Sequence, residues 1–171
     1  RPFYFYNREK INIFTNKQTS KFLLKRYDYL FNKSKSSQSY FQPPLQMHEI
    51  DYFEEIIIND IKINTIKQNH GVIDTLGFIF NNVFAYCTDV VGFPEKSFRY
   101  LHNMKVLIIT GLRQSPHAAH AHFDLSFDWI TKLKPEVAYL THLSPESDHD
   151  EVTKLCPPNT YPAYDGLVLD I

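Results

Sequence analysis

Glycine is scarce in this chain, five residues in 171. That scarcity excludes two common active-site devices. No Gly-x-Gly-x-x-Gly cradle for phosphates is present. No Gly-x-Ser-x-Gly elbow exposes a nucleophilic serine, so Ser115 and Ser144, although near histidines, complete no triad. Cysteine is scarcer still. Cys87 and Cys156 have no Cys-x-x-Cys spacing, form no disulfide framework, and fit a reducing, cytoplasmic compartment. Cys87 falls inside an apolar run and reads as a small core residue. No apolar run reaches about 18 residues, so no membrane span is expected. No signal peptide is visible at the start. The net charge is only −1, which gives no general drive toward nucleic acid or membrane.

What is there suits a folded core. Hydrophobic residues make up 43% and aromatics 15% of the chain, which removes it from the disordered class. The length fits one domain, residues 1–171. Charge is unevenly spread: residues 1–35 carry nine Lys or Arg against Glu9 and Asp28. This basic start reads as a solvated helix face, with a phosphate-bearing partner as the alternative. The aromatics Tyr4, Phe5 and Tyr6 beside it read as core and rim, not as a stacking platform for nucleic acid.

Local patterns divide the chain. Ile11–Phe14 reads as a strand, and Thr15 as the N-cap of a helix to about Phe31. Phe22, Leu23, Tyr27, Leu30 and Phe31 form its apolar face; Lys17, Lys21 and Lys25 form another, read as surface. Residues 33–39 are a mobile, serine-rich loop, ended by the extended Gln42-Pro43-Pro44. The period then changes to two. Tyr52–Ile58 and Ile61–Lys67 flank Asn59-Asp60, and Leu76–Phe80 and Val83–Cys87 flank Asn81-Asn82. Both read as hairpins, because Asn and Asp tolerate positive φ. Beyond Asp89 helix and strand alternate. A helix starts at Pro94 and runs to about Asn103, a strand spans Val106–Thr110, and Asp124 caps a helix to Lys134 with Leu125, Trp129, Ile130 and Leu133 inward. A strand follows at Val137–Thr141. Ser147 or Asp148 caps a last helix, and Leu167–Ile171 closes as a strand. The class is α/β with mixed sheets.

Three residues of metal-binding type lie at strand ends: His70 after Ile61–Lys67, Asp89 after Val83–Cys87, and His142 after Val137–Thr141. The carboxyl edge of an α/β sheet is where ligands bind. Imidazole nitrogen and carboxylate oxygen are donors for zinc-like ions. Three such ends suggest one metal site assembled across a sheet. His120-Ala121-His122-Phe123-Asp124 spells His-x-His-x-Asp. Leu125 follows where another histidine would be wanted, and it is not read as the primary site. His48, His102 and His149 read as surface. Asp148, six residues after His142, either orients an imidazole or caps a helix.

Asn69-His70-Gly71, Thr75-Leu76-Gly77-Phe78, Tyr86-Cys87-Thr88-Asp89, Pro116-His117, Thr141-His142-Leu143-Ser144, Asp148-His149 and Tyr164-Asp165-Gly166 run in the order and spacing of a known family. The segment resembles the metallo-β-lactamase superfamily, in particular its phosphodiesterase branch, which includes the phosphonate-pathway cyclic phosphodiesterase. The resemblance implies an αββα sandwich with mixed sheets. It implies a metal-dependent hydrolase that cleaves a small cyclic or nucleotide-derived phosphodiester with a metal-bound hydroxide. The cofactor would be zinc or manganese, two ions in the intact family. Asp89 would bridge them, with His70 and His142 on either side. His122 would be the added active-site histidine, with His117 and His120 beside it in a loop two residues longer than usual. The family opens its site with His-x-His-x-Asp-His. Residues 1–69 hold no such motif, and the chain begins at Arg1. The expectation is a C-terminal portion lacking the motif, which would bind metal weakly or hold one ion, and would pair as a homodimer to cover exposed edges. The alternative is a non-catalytic relic of the fold.

Overall fold

A computed structural model describes residues 4, 6, 8–33 and 42–171. The serine-rich loop expected over 33–39 lies, Lys33 apart, outside the described residues. The backbone forms two compact units, residues 1–51 and 52–171.

In the first unit, β1 (Ile11–Thr15) and β2 (Leu45–Glu49) pair in parallel, Ile11 opposite Leu45 and Thr15 opposite Glu49. Parallel partners need a crossover rather than a tight turn, and the crossover carries α1 (Lys17–Tyr27). The N-cap is Asn16, not the expected Thr15, which is the last residue of the strand. The Asn16 side chain accepts the Thr19 N–H at 2.8 Å, and Asn caps at least as well as Thr. The helix tightens to a 3₁₀ turn over Asp28–Leu30 instead of running to Phe31. Its inward residue is the buried Ser20, whose Oγ donates to Glu49 Oε1 at 2.6 Å. Phe22, expected inward, is 50% exposed with the Arg26 guanidinium over its ring. Lys17, Lys21 and Lys25 are exposed.

The second unit is a seven-stranded sheet in the order β3 to β9. Strands β3 (Glu55–Ile58), β4 (Ile61–His70), β5 (Ile73–Phe80) and β6 (Phe84–Cys87) run antiparallel to one another. Asn59 and Asp60 both have positive φ, +47° and +67°, the conformation of a tight two-residue hairpin loop. β6, β7 (Val106–Thr110), β8 (Val137–Thr141) and β9 (Thr160–Pro162) are parallel. Leu167–Ile171, expected as the closing strand, is irregular. The sheet ends at β9, for which the sequence gives no strand signal; an edge strand tolerates its Pro162.

Helices α2 (Glu95–Tyr100), α3 (Phe123–Leu133) and α4 (His149–Leu155) connect the parallel strands. α2 is shorter than expected, with Pro94 outside its first turn. α3 begins two residues early: His122 takes the N-cap position, and Asp124 lies in the first turn, where its charge suits the helix dipole. Lys134 at φ +53° ends it before Pro135. Ile66, Ile79, Ala85, Cys87, Leu107, Ile109, Ala138 and Leu140 from the strands pack with Leu101, Trp129, Ile130, Leu133 and Val152. Among the described residues no helix is long and apolar enough to cross a membrane.

This topology fixes where the site can be. β4 is antiparallel to β5 and β5 to β6, so β4 points the same way as β6, β7 and β8. The carboxyl ends of all four meet at one edge. His70 ends β4, Asp89 follows β6, the 111–122 loop follows β7, and His142 follows β8.

Candidate metal centre

Each of these ends is locked by its own contacts. His70 and Gly71 turn back at the end of β4, where Asn69 Oδ1 accepts the Gly71 N–H at 3.0 Å. Gly71 has φ +72°, and a Cβ there would lie 3.2 Å from Ala118 O and 3.3 Å from Ala119 Cβ. Glycine therefore lets the histidine loop approach. Asp89 and His142 sit at φ +55° and +64°. Such backbone is uncommon for a non-glycine residue and concentrates at functional sites. The Asp89 loop is laced to β4 through Asn69 N–H to Gly92 O and Val91 N–H to Asn69 O, both 2.8 Å. The histidine loop is tied to the Asp89 loop through Ala121 N–H to Val90 O at 2.7 Å.

Hydrogen bonds assign the imidazole protons. His70 Nδ1 lies 2.8 Å from Ala119 O. A carbonyl only accepts, so Nδ1 carries the proton and Nε2 presents a lone pair. His117 Nδ1 accepts the N–H groups of Ala119 and His120, both at 3.2 Å, and so braces the loop. His120 stands between His70 and His142, with ring centroids 4.6 and 4.5 Å away. Its Nδ1 is buried without a hydrogen-bond partner, 3.8 Å from Asp89 Oδ1. Burial pushes its pKa down, and the neighbouring imidazoles of His142 and His70 push it the same way, against the Asp89 charge. His142 Nδ1 is 3.9 Å from the same Asp89 oxygen.

His70, Asp89 and His120 thus offer donor atoms all within 4.8 Å of one another, with His142 against Asp89. Imidazole nitrogens and a carboxylate oxygen gathered in this way, one imidazole nitrogen buried and unpaired, are the donor types a zinc-like ion takes. This donor set suffices for one ion. The structure brings together His70, Asp89, His142 and, from the loop, His120 and His117. His122 is two residues beyond, at the start of α3, with no ring contact to the cluster. Asp148 is a helix cap: its Oδ1 accepts the N–H groups of Asp150 and Glu151, both at 3.0 Å. His149 opens α4, half-exposed against Tyr164. A cavity of about 400 Å³, lined by Thr141, His142, Leu143, Ala163, Tyr164 and Asp165, adjoins His142.

Residues 4–143 match the family model of the β-lactamase superfamily domain. The chain belongs to the β-lactamase superfamily. Solved structures place it further. A diphosphatase of the PhnP family superposes with a TM-score of 0.80 at 27% identity, over 92% of this chain and 57% of that one. This likeness supports the resemblance to the phosphodiesterase branch. The metallo-β-lactamase fold protein YhfI from Bacillus subtilis gives 0.71 at 14% identity, over 92% and 64%. The short form of human tRNase Z gives 0.65 at 12%, over 97% and 70%. The last two share the fold. The chain thus spans less than two thirds of the length of the first two. No curated protein matches the sequence significantly. The match gives the chain the superfamily's hydrolase fold, one that implies divalent metal.

Sequence reading did not find Gln68 or the central position of His120. Gln68 is fully buried on the core side of β4, beside Ile66. A polar residue at an apolar beat of a strand was the available signal. Nothing in the sequence distinguishes His120 from His117 and His122, because a loop has no period.

Proposed function

We propose that this chain is part of a metal-dependent phosphoester hydrolase acting on a small phosphodiester or diphosphate. The observation that carries the reading is the gathering of His70, Asp89 and His120 donor atoms within 4.8 Å at the sheet edge, with His142 Nδ1 3.9 Å from the Asp89 carboxylate. The 27% identical diphosphatase supports the phosphoester class. The free thiols Cys87 and Cys156 fit a cytoplasmic setting. His70, Asp89 and His142 project from strand ends held by the sheet and are the natural rigid ligands. A bound zinc or manganese ion would polarise the phosphoryl group and acidify water. His70 would contribute Nε2, its proton being fixed on Nδ1 by Ala119 O. Asp89 would contribute its carboxylate. His120 comes from a loop rather than a strand end; with the ion held by the strand-end donors, its Nδ1 is left to carry a proton to the leaving oxygen. The cavity at Tyr164 and Asp165 offers room for the leaving group.

A second reading, a relic of the fold without turnover, is favoured by one observation: the donors that converge suffice for one ion, whereas the intact family holds two. Elemental analysis and hydrolysis of bis(p-nitrophenyl) phosphate with added Zn²⁺ or Mn²⁺ separate the two. The expected result is bound metal, lost in Asp89→Asn and His142→Ala. His120→Ala should keep its metal and lose about 10²–10⁴-fold in rate, with His122→Ala and His117→Ala less affected. Metal loss in His120→Ala would make His120 a ligand. The reverse ranking of His120 and His122 would return the proton role to His122. Retained metal without turnover would favour the relic, and no metal at all would refute the site.

A further inference from the structure

Asp89 is aimed by side chains that no ligand would touch. Gln68 and Thr75 are directly paired across β4 and β5 on the core side of the sheet. Gln68 Nε2 donates to Thr88 O at 2.8 Å and to Thr75 Oγ1 at 3.2 Å. Thr75 Oγ1 donates in turn to Asp89 O at 2.8 Å. The proton count closes: both amide hydrogens are used, and the hydroxyl accepts one hydrogen bond and donates one. The two carbonyls that receive them, Thr88 O and Asp89 O, belong to the two peptide planes that flank Asp89. Fixing both planes fixes φ and ψ of that residue, and so the direction of its Cα–Cβ bond. Asp89 needs such fixing, because it sits at φ +55° just past the end of β6.

The arrangement is not what stability alone would select. Gln68 has no exposed surface, and its Oε1 is buried with no partner. An orphaned buried carbonyl is unfavourable. Gly77, opposite Ile66, leaves the room for it: a Cβ there would lie 2.5 Å from Gln68 Oε1.

We propose that Gln68 and Thr75 form a positioning relay that holds Asp89 in its left-handed conformation and points its carboxylate at His70, His120 and His142. Its bearing on metal rests on Asp89 being a ligand, as above. The backbone part does not.

The experiment therefore has two arms on the whole protein. NMR reads the HN–Hα coupling and chemical shifts of Asp89 without metal, and Co²⁺ titration followed by its visible absorption reads affinity and ligand field. Thr75→Val removes the hydroxyl at nearly constant shape, Thr75→Ser restores it, and Gln68→Met removes both donors. In Thr75→Val and Gln68→Met the Asp89 signals should leave their wild-type values. Co²⁺ affinity should fall about 10–100-fold, the usual effect of removing a group that orients a ligand, with a changed cobalt spectrum. Thr75→Ser should stay within about threefold of wild type. The double variant should be worse than either single one, because Gln68 holds the Thr88 carbonyl and Thr75 the Asp89 carbonyl, one on each side of Asp89; a double variant equal to Gln68→Met alone would overturn the part given to Thr75. Wild-type Asp89 signals in a folded Thr75→Val protein would overturn the relay. Loss in Thr75→Ser equal to that in Thr75→Val would do the same. If wild type took up no Co²⁺ while the Asp89 signals moved as expected, the relay would hold and the metal reading would fall.

Discussion

Gly77→Ala is a methyl group added where the chain has no room. The new Cβ would meet Gln68 Oε1 at 2.5 Å, Ile66 Cγ1 at 2.8 Å and Gln68 Cδ at 2.9 Å. Ordinary carbon contacts begin near 3.5 Å, so relief requires a shift approaching 1 Å. Ile66 and Gln68 are both fully buried and cannot swing outward. Overpacking of this kind costs about 1–3 kcal/mol. Displacing Gln68 strains or breaks its bonds to Thr88 O and Thr75 Oγ1, at about 0.5–1.5 kcal/mol each. The stiffer unfolded chain returns about 0.4–1 kcal/mol. The net expectation is a loss of about 3 kcal/mol, which for a chain of this size lowers Tm by about 6–12 °C. Thermal and urea melts followed by circular dichroism measure it. In a Gln68→Ala background the same substitution should cost at least about 1 kcal/mol less, since the principal clash is gone. A Gly77→Ala protein within about 0.5 kcal/mol of wild type would refute the packing argument. Equal costs in the two backgrounds would show that Gln68 is not the residue displaced.

Two further expectations use other parts of the second unit. Asp148→Ala removes an N-cap that accepts two backbone N–H groups and should cost about 1 kcal/mol in denaturant melts. Its metal content should be unchanged; lost metal would show that Asp148 orients an imidazole after all. Cys87 is fully buried, and burial pushes its thiol well above the ordinary range. A folded pKa above the unfolded one gives stability that is present below about pH 8.5 and is lost as pH rises past it. Cys87→Ala should flatten that alkaline decline. With Ellman's reagent, Cys156, part-buried with a thiol raised less far, should react in the native protein and Cys87 only on unfolding.

How much of this was legible in the sequence depends on the range of the interaction that decides each feature. Strand β7, the Asn59-Asp60 hairpin and the core stripe of α3 follow from period and turn chemistry, which are local, and all are present; the second hairpin is present too, but its turn takes in Val83 beside Asn81 and Asn82. Where two neighbouring residues serve one role equally well, the sequence left the choice open: Asn16 took the cap from Thr15, and α3 started ahead of Asp124. β9 was decided by pairing with β8, because an edge position tolerates Pro162 where propensity alone would not. The strand-end positions of His70, Asp89 and His142 could be read one at a time. That they share an edge depends on strand direction, which no local pattern carries. Only the folded chain places His120 between two imidazoles, through a loop held by Gly71 and by Ala121 against Val90. And only it reveals Gln68 beneath Asp89, since a donor and acceptor twenty residues apart become neighbours solely through the register of the sheet.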